Sequence, residues 1–280
     1  MAEQGYQRRK WSSRLMLGLC ALGAAVAISM LALILGYIIA HGVSYLNLDL
    51  FTEASRPAGE AGGGIRNELI GTFILVILGS VLALPIGLMA GMFLSDFGKP
   101  TVAAGVRFAA DVLSGVPSIV VGVFAYAIAV RPMHSYSALA GGIALGIIMI
   151  PVVARTAEES LRLVPNSMRE AALALGITRW RAMLGVVIPG ALTGIVTGVM
   201  LAVARIAGET APLLFTALGN NFGFQGLLKP IAALPLLIYT YAISPYQDQH
   251  EKAWAAAFVL VVLVLGISVL VRWFSRRSRT

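Results

Sequence analysis

Polar and apolar positions alternate along this chain in long blocks rather than at the short period of a soluble domain. Six apolar blocks are long enough to be read as membrane crossings: 15–40, 69–94, 108–130, 135–154, 182–204 and 253–271. At about 1.5 Å of rise per residue, about 20 helical residues cover a hydrocarbon core about 30 Å thick. The block Leu15–Ala40 contains no charge, and the third block carries Asp111 near its start. The fourth is the short one, an apolar run of Ala138–Ala154 that reaches spanning length only if extended backwards through Ser135. Pro85, Pro117, Pro151 and Pro189 fall within or at the ends of the second to fifth blocks. Kinks there are expected, because a membrane tolerates freed carbonyls where backbone faces protein or a cavity.

The pattern implies an all-α membrane protein, a bundle of six transmembrane helices. Residues 1–14 form a short polar N-terminus, and residues 15–280 form a single transmembrane domain. Two stretches do not fit the span rule. Residues 41–67 form a loop with a Gly-rich run from Gly59 to Gly64. Residues 211–250 contain the apolar run Ile231–Ile243, which is too short to cross and is broken by Pro235. It reads as a re-entrant or interfacial segment, or as a loop packed on the bundle.

Composition agrees with a lipid solvent. The chain is 58% hydrophobic and 12% charged, about half the charge that a water-facing domain carries. The net charge of +8 is not a nucleic-acid patch, because the basic residues sit at block ends. Segments 1–14, 95–107, 155–181 and 272–280 hold 4, 2, 5 and 4 of the 21 Lys and Arg. That asymmetry predicts cytoplasmic N- and C-termini. Arg8, Arg9, Lys10 and Arg14 precede the first block as they would in a signal peptide, but the block is too long for one and reads as a retained span. Cys20 is the only cysteine and reads as a small buried hydrophobe.

Chemistry of a catalytic kind is not indicated. His41, His134 and His250 are scattered and have no metal-ligand spacing. The nearest phosphate-loop candidate, Gly98-Lys99, has Phe93 in place of the leading glycine and Pro100 in place of Ser or Thr. No cofactor is expected in this chain. Arg107 and Asp111 are four apart and read as an ion pair, and Glu158 and Glu159 as a solvated face. Gly87/Gly91, Gly142/Gly146 and Gly194/Gly198 have the spacing of close helix contacts.

Two constellations carry function. The first lies in the polar segment 155–181. Ser167 and Glu170 have capping-box spacing, and Met168, Ala171, Ala172 and Leu175 then recur at i, i+3, i+4 and i+7. Gly176 suits the position after a helix end, and Thr178 can cap a second helix. A short helix with a shallow alanine-built face fits docking into a groove of a soluble partner; an ordinary capped helix on the bilayer surface is the plainer reading. The second constellation is Arg205 and Glu209, on one helix face at the end of the fifth block and followed by Thr210. Arginine's planar fork suits a tetrahedral oxyanion, and a neighbouring carboxylate can accept a hydrogen bond from a protonated phosphate oxygen. A snorkelling ion pair without a ligand is the alternative.

Glu170-Ala171-Ala172, Gly176, Val186, Ile188 and Pro189 resemble the "EAA" loop of ATP-binding-cassette (ABC) importer permeases, with Val186 for Ile and Ile188 for Leu. The stretch from Arg205 to Leu218 and the stretch from Ser114 to Gly122 resemble the PstA-type permease subunits of phosphate importers. The resemblance implies the type I importer architecture in a bacterial inner membrane, with Glu170, Ala171, Ala172, Leu175, Gly176 and Met168 contacting a separate ATPase. It makes Arg205 and Glu209 pathway residues, with Thr210, Ser114, Pro117 and Ser118 as further lining candidates. It also implies a second permease subunit, two ATPase subunits that hold ATP and Mg, and an extracytoplasmic phosphate-binding protein. Two alternatives stay open: an importer of another oxyanion such as sulfate, molybdate or phosphonate, and a secondary transporter that works without an ATPase.

Overall fold

The computed structural model describes residues 2–57, 60, 62–220 and 222–277. The side chains of Arg8, Arg9, Arg276 and Arg277, all of Arg279, and Gly59 in the Gly-rich run lie outside what is described. The first crossing is α1, Ala2–Gly42, followed by a 3-10 turn and the short helix α2, Leu48–Thr52. Next come α3, Arg66–Met92; α4, Pro100–Gly115; α5, Ser118–Ala125; and α6, Arg131–Met133. Helix α7, Ala138–Arg162, leads to α8, Asn166–Ala174, and α9, Arg179–Ala182. The chain closes with α10, Ile188–Ala207; α11, Ala211–Thr216; α12, Leu234–Ala242; and α13, Gln247–Arg277.

Among the described residues, five helices are long and apolar enough to cross a membrane, and the third expected span is the exception. It is two helical segments, Pro100–Gly115 and Ser118–Met133, bent by 101° at the break. Pro117 causes this. It pushes Val116 into an extended conformation (φ −68°, ψ 130°), and the helix cannot continue through it. The fourth span also differs in its ends. Ser137 caps α7, its side chain accepting from the Ala140 N–H, so the helix gains nothing backwards through Ser135. Its length comes instead from running on to Arg162. Helices α9 and α10 join through a π-helical turn at Met183–Val187. Pro189 follows two residues later and has no N–H to donate, so the regular ladder is interrupted there.

Helix α7 is the hub. Its small residues let α3 and α10 approach closely. A methyl group at Gly87 would lie 2.7 Å from the Val153 Cβ, at Gly91 2.6 Å from the Ala157 Cβ, and at Gly142 2.6 Å from the Leu78 Cβ. On the other side a Cβ at Gly198 would lie 2.6 Å from that of Thr156. The three glycine pairs read from the sequence are therefore spent on packing within this chain. The main core gathers around Leu145, Met149 and Val153 of α7, Leu75 and Ala83 of α3, and Ala202 and Ile206 of α10.

The first seven residues of the short apolar run are buried in the bundle, whereas Tyr239 and Ile243 near its end are exposed. Residues 231–237 lie in the core, and α12 folds back against α13 and α3. Thr72 pins it by accepting from the Leu234 N–H at 2.9 Å. Gly71 permits the approach, because any Cβ there would sit on the Ala232 carbonyl oxygen. Helix α1, by contrast, meets the rest through its last turns, where Tyr37, His41 and Trp254 form an aromatic cluster.

Candidate functional site

Two groups of residues stand at opposite ends of the α9–α10 rod. The 20 residues of α10 place them on the order of 30 Å apart.

At one end, α8 lies across the bundle. Its start differs from the capping-box expectation. Pro165 is the N-cap, and no side chain caps the helix, so Ser167 and Glu170 are not engaged as a box. The Met168 N–H bonds the Pro165 carbonyl at 3.1 Å, so the first turn closes through backbone alone. The C-terminus follows the expectation. Gly176 is left-handed (φ +76°), its N–H bonds to the Leu173 carbonyl, and the Ile177 N–H bonds to that of Ala172. Thr178 is the N-cap of α9 by backbone, without a side-chain bond.

The apolar face of α8 divides. Ala172 is 5% exposed and packs on the bundle, so it cannot be an open docking residue. Met168, Ala171, Glu170 and Leu175 remain outward, and Leu175 is 80% exposed. Arg169 anchors the helix. One guanidinium nitrogen bonds Asp96 at 2.7 Å, and the other donates to the Leu161 carbonyl at 2.5 Å. A cavity of about 260 Å³ opens beside this joint, lined by Asp96, Phe97, Glu170 and Arg179 among others.

Behind α8 lies an ionic cluster that the sequence reading misplaced. Glu158 is 2% exposed, not a solvated side chain. It accepts from Arg107 Nε at 2.6 Å, Arg155 at 3.3 Å and Arg162 at 2.9 Å. Asp111 pairs with Arg155 at 3.0 Å, not with Arg107. The i,i+4 pair within α4 loses to pairs across helices, because a buried carboxylate needs its countercharges more than an exposed one does. Arg107 also donates to the Leu94 carbonyl at 3.0 Å, so the cluster ties α4 and the 93–97 turn to α7.

At the other end, Gly208 ends α10, and Thr210 and Pro212 begin α11. Arg205 sits in the last turn of α10, where the helix dipole favours a cation. Its Nε lies 3.7 Å from Glu209 Oε1. The Arg205 side chain is 48% exposed and that of Glu209 16%. The guanidinium therefore keeps donors free for an anion while one edge rests on the carboxylate. Thr210 is half-buried beside them, its carbonyl accepting from Leu213 and Leu214.

Ser114, Pro117 and Ser118 lie at the break between α4 and α5, with Ser114 and Pro117 exposed and Ser118 half-buried. Helix α5 packs on α11 through Gly122, where a Cβ would be 2.7 Å from the Pro212 Cα. The break and the Arg205–Glu209–Thr210 turn are thus carried on adjoining elements. Among the described residues, no group of three or more His, Cys, Asp and Glu could hold a metal ion.

Known proteins of similar sequence give these parts a context. Residues 83–280 match the family model described as binding-protein-dependent transport system inner membrane component. A relative from Haemophilus influenzae, a phosphate transport system permease protein PstA, is 43% identical over 97% of this chain and 96% of its own length. Another PstA, from Pasteurella multocida, is 42% identical over the full length of both chains. Among solved structures, a chain of the MetNI methionine ABC transporter in inward-facing conformations superposes with a TM-score of 0.61 at 20% identity, covering 77% of this chain and 94% of that one. An amino acid ABC transporter solved with histidines gives 0.57 at 22% identity, covering 76% and 92%. The bundle is thus that of type I ABC importer permeases, and this chain belongs to the family of inner membrane components of binding-protein-dependent transport systems.

Proposed function

We propose that this chain is the permease subunit of an ATP-driven importer of inorganic phosphate. The observation that carries this reading is the near full-length similarity to PstA proteins, joined to a half-exposed arginine held by a carboxylate at the end of α10. Arg205 would bind the anion through its free donors. Glu209 would accept a hydrogen bond from a protonated phosphate oxygen, which sulfate does not offer at neutral pH, and would weaken the grip enough for release.

In this reading α8 lies on the cytoplasmic side and presents Met168, Glu170, Ala171 and Leu175 to a separate ATPase subunit, with Gly176 shaping the turn. Ala172 serves as the foot of the helix on the bundle. The stroke then passes along α9 and α10, which continue as one rod toward Arg205. Both termini would be cytoplasmic, in the inner membrane of a bacterium. The partners would be a second permease subunit, two ATPase subunits carrying ATP and Mg, and an extracytoplasmic phosphate-binding protein. Ser114, Pro117 and Ser118 would line the path where the broken helix faces the second bundle.

The test is uptake of labelled phosphate by cells in which this chain is the sole permease of its kind. Uptake should be blocked by arsenate and spared by sulfate. Uptake blocked by sulfate and spared by arsenate would overturn the phosphate reading.

A further inference from the structure

Arg169 and Asp96 stand 73 residues apart in the chain and join α8 to a turn that the stroke along α9 and α10 leaves out. Asp96 belongs to the π-helical turn Phe93–Phe97, which links α3 to α4. Arg169 donates to Asp96 Oδ1 at 2.7 Å, and the two side chains are only 17% and 21% exposed. The turn also leans on α9, with the Phe97 ring centroid 6.3 Å from that of Trp180. It is bound onward to α4, because Arg107 donates both to the Leu94 carbonyl at 3.0 Å and to Glu158 at 2.6 Å.

From α4 the contacts run on to the far end of the molecule. Helix α4 stops at the Val116–Pro117 break, where α5 begins. Helix α5 packs on α11 so closely that a Cβ at Gly122 would lie 2.7 Å from the Pro212 Cα. Thr210 is the N-cap of α11. Helix α8 therefore reaches the Arg205–Glu209–Thr210 turn from two sides, through α10 and through α4, α5 and α11. The joint also has room to move. Arg169 Nε is buried without a hydrogen-bond partner among the described residues, and the cavity of about 260 Å³ adjoins the guanidinium. A tie that served only to fix α8 would satisfy its buried donors.

We propose that Asp96 and Arg169 are positioning residues of transport: they carry part of the α8 motion through the 93–97 turn into the broken third crossing. The pair thereby sets how much anion moves for each ATP consumed. This inference rests on the reading of α8 as the contact of a separate ATPase. A chain of contacts becomes a coupling route only when cutting one link changes the coupling.

The test uses the full chain with its native partner subunits, rebuilt into liposomes with ATP on the α8 side. Phosphate uptake and ATP hydrolysis are read together. Asp96→Asn should still assemble and hydrolyse ATP, because the Leu161 carbonyl and the buried Ala172 continue to hold α8. Phosphate moved per ATP should fall about fivefold, the size of a modest coupling change. Asp96→Glu keeps the charge and should keep most of the ratio. Should Asp96→Asn fail to assemble, Arg169→Gln decides in its place, since it removes the charge from the other side of the pair. A ratio unchanged from wild type, or uptake and hydrolysis falling in step, would overturn the inference and leave the reading of α8 standing. A wild-type complex without ATP-driven uptake would overturn that reading, and this inference with it.

Discussion

Replacing Glu158 by alanine is the most informative perturbation of the bundle, because one side chain meets three arginines at 2.6, 3.3 and 2.9 Å. At a separation of about 3 Å and an effective dielectric of about 20, each pair is worth at most about 5 kcal/mol before desolvation. Arg162 is 52% exposed and largely screened, so it adds little. Arg107 and Arg155 are 27% and 33% exposed, and they keep their charge when the carboxylate goes. Removing one partner of a buried ion pair costs about 3–5 kcal/mol, and the same range is expected here. The assay is reversible unfolding in mixed micelles, comparing Glu158→Ala with Glu158→Gln, which keeps size and removes charge. Adding Arg107→Met to Glu158→Gln should recover about 1 kcal/mol or more, since it removes the arginine whose one carboxylate partner among the described residues is Glu158. A Glu158→Ala protein within about 1 kcal/mol of wild type would refute the view that this cluster holds α4 to α7.

Other expectations follow from single contacts. Gly71→Ala should loosen the buried 231–237 segment, since the added methyl group meets the Ala232 carbonyl; faster proteolysis after residue 230 with α3 still folded is the readout. Gly176→Ala puts a side chain at φ +76° and should cost about 1 kcal/mol, visible in unfolding. Arg205→Ala should abolish uptake, whereas Arg205→Lys should retain a fraction with a raised KM, because a point charge replaces a two-pronged donor; equal uptake in Arg205→Ala would remove this residue from the path.

The crossings were legible because lipid allows few solutions for a backbone. Long apolar blocks with basic ends, and Gly176 placed after a helical face, each have one physical meaning. The break in the third crossing was half legible. Pro117 stood in view, but a proline can kink a membrane helix or divide it, and only its neighbours decide. Glu158 and Asp111 were misread for a related reason. Spacing within a helix shows which partners are near in sequence, whereas the contacts that bury Glu158 and turn Asp111 away from Arg107 include arginines 51 and 44 residues away on the facing helix. Ala172 falls on the apolar face that spacing defines and is nevertheless buried, because the four-residue face is broad enough for one edge to touch the bundle.

The central claim is that α8 receives the stroke of a separate ATPase and passes it to the anion site. It is tested most directly by cross-linking from the tip of that helix. Leu175→Cys, in a chain whose own Cys20 is replaced by serine, is treated with a short thiol-to-thiol reagent in native membranes carrying the full complex. The account predicts a cross-link to a nucleotide-binding chain whose yield changes when ATP is added. A helix tip that joins no nucleotide-binding chain, while ATP-driven uptake continues in the same membranes, would contradict it.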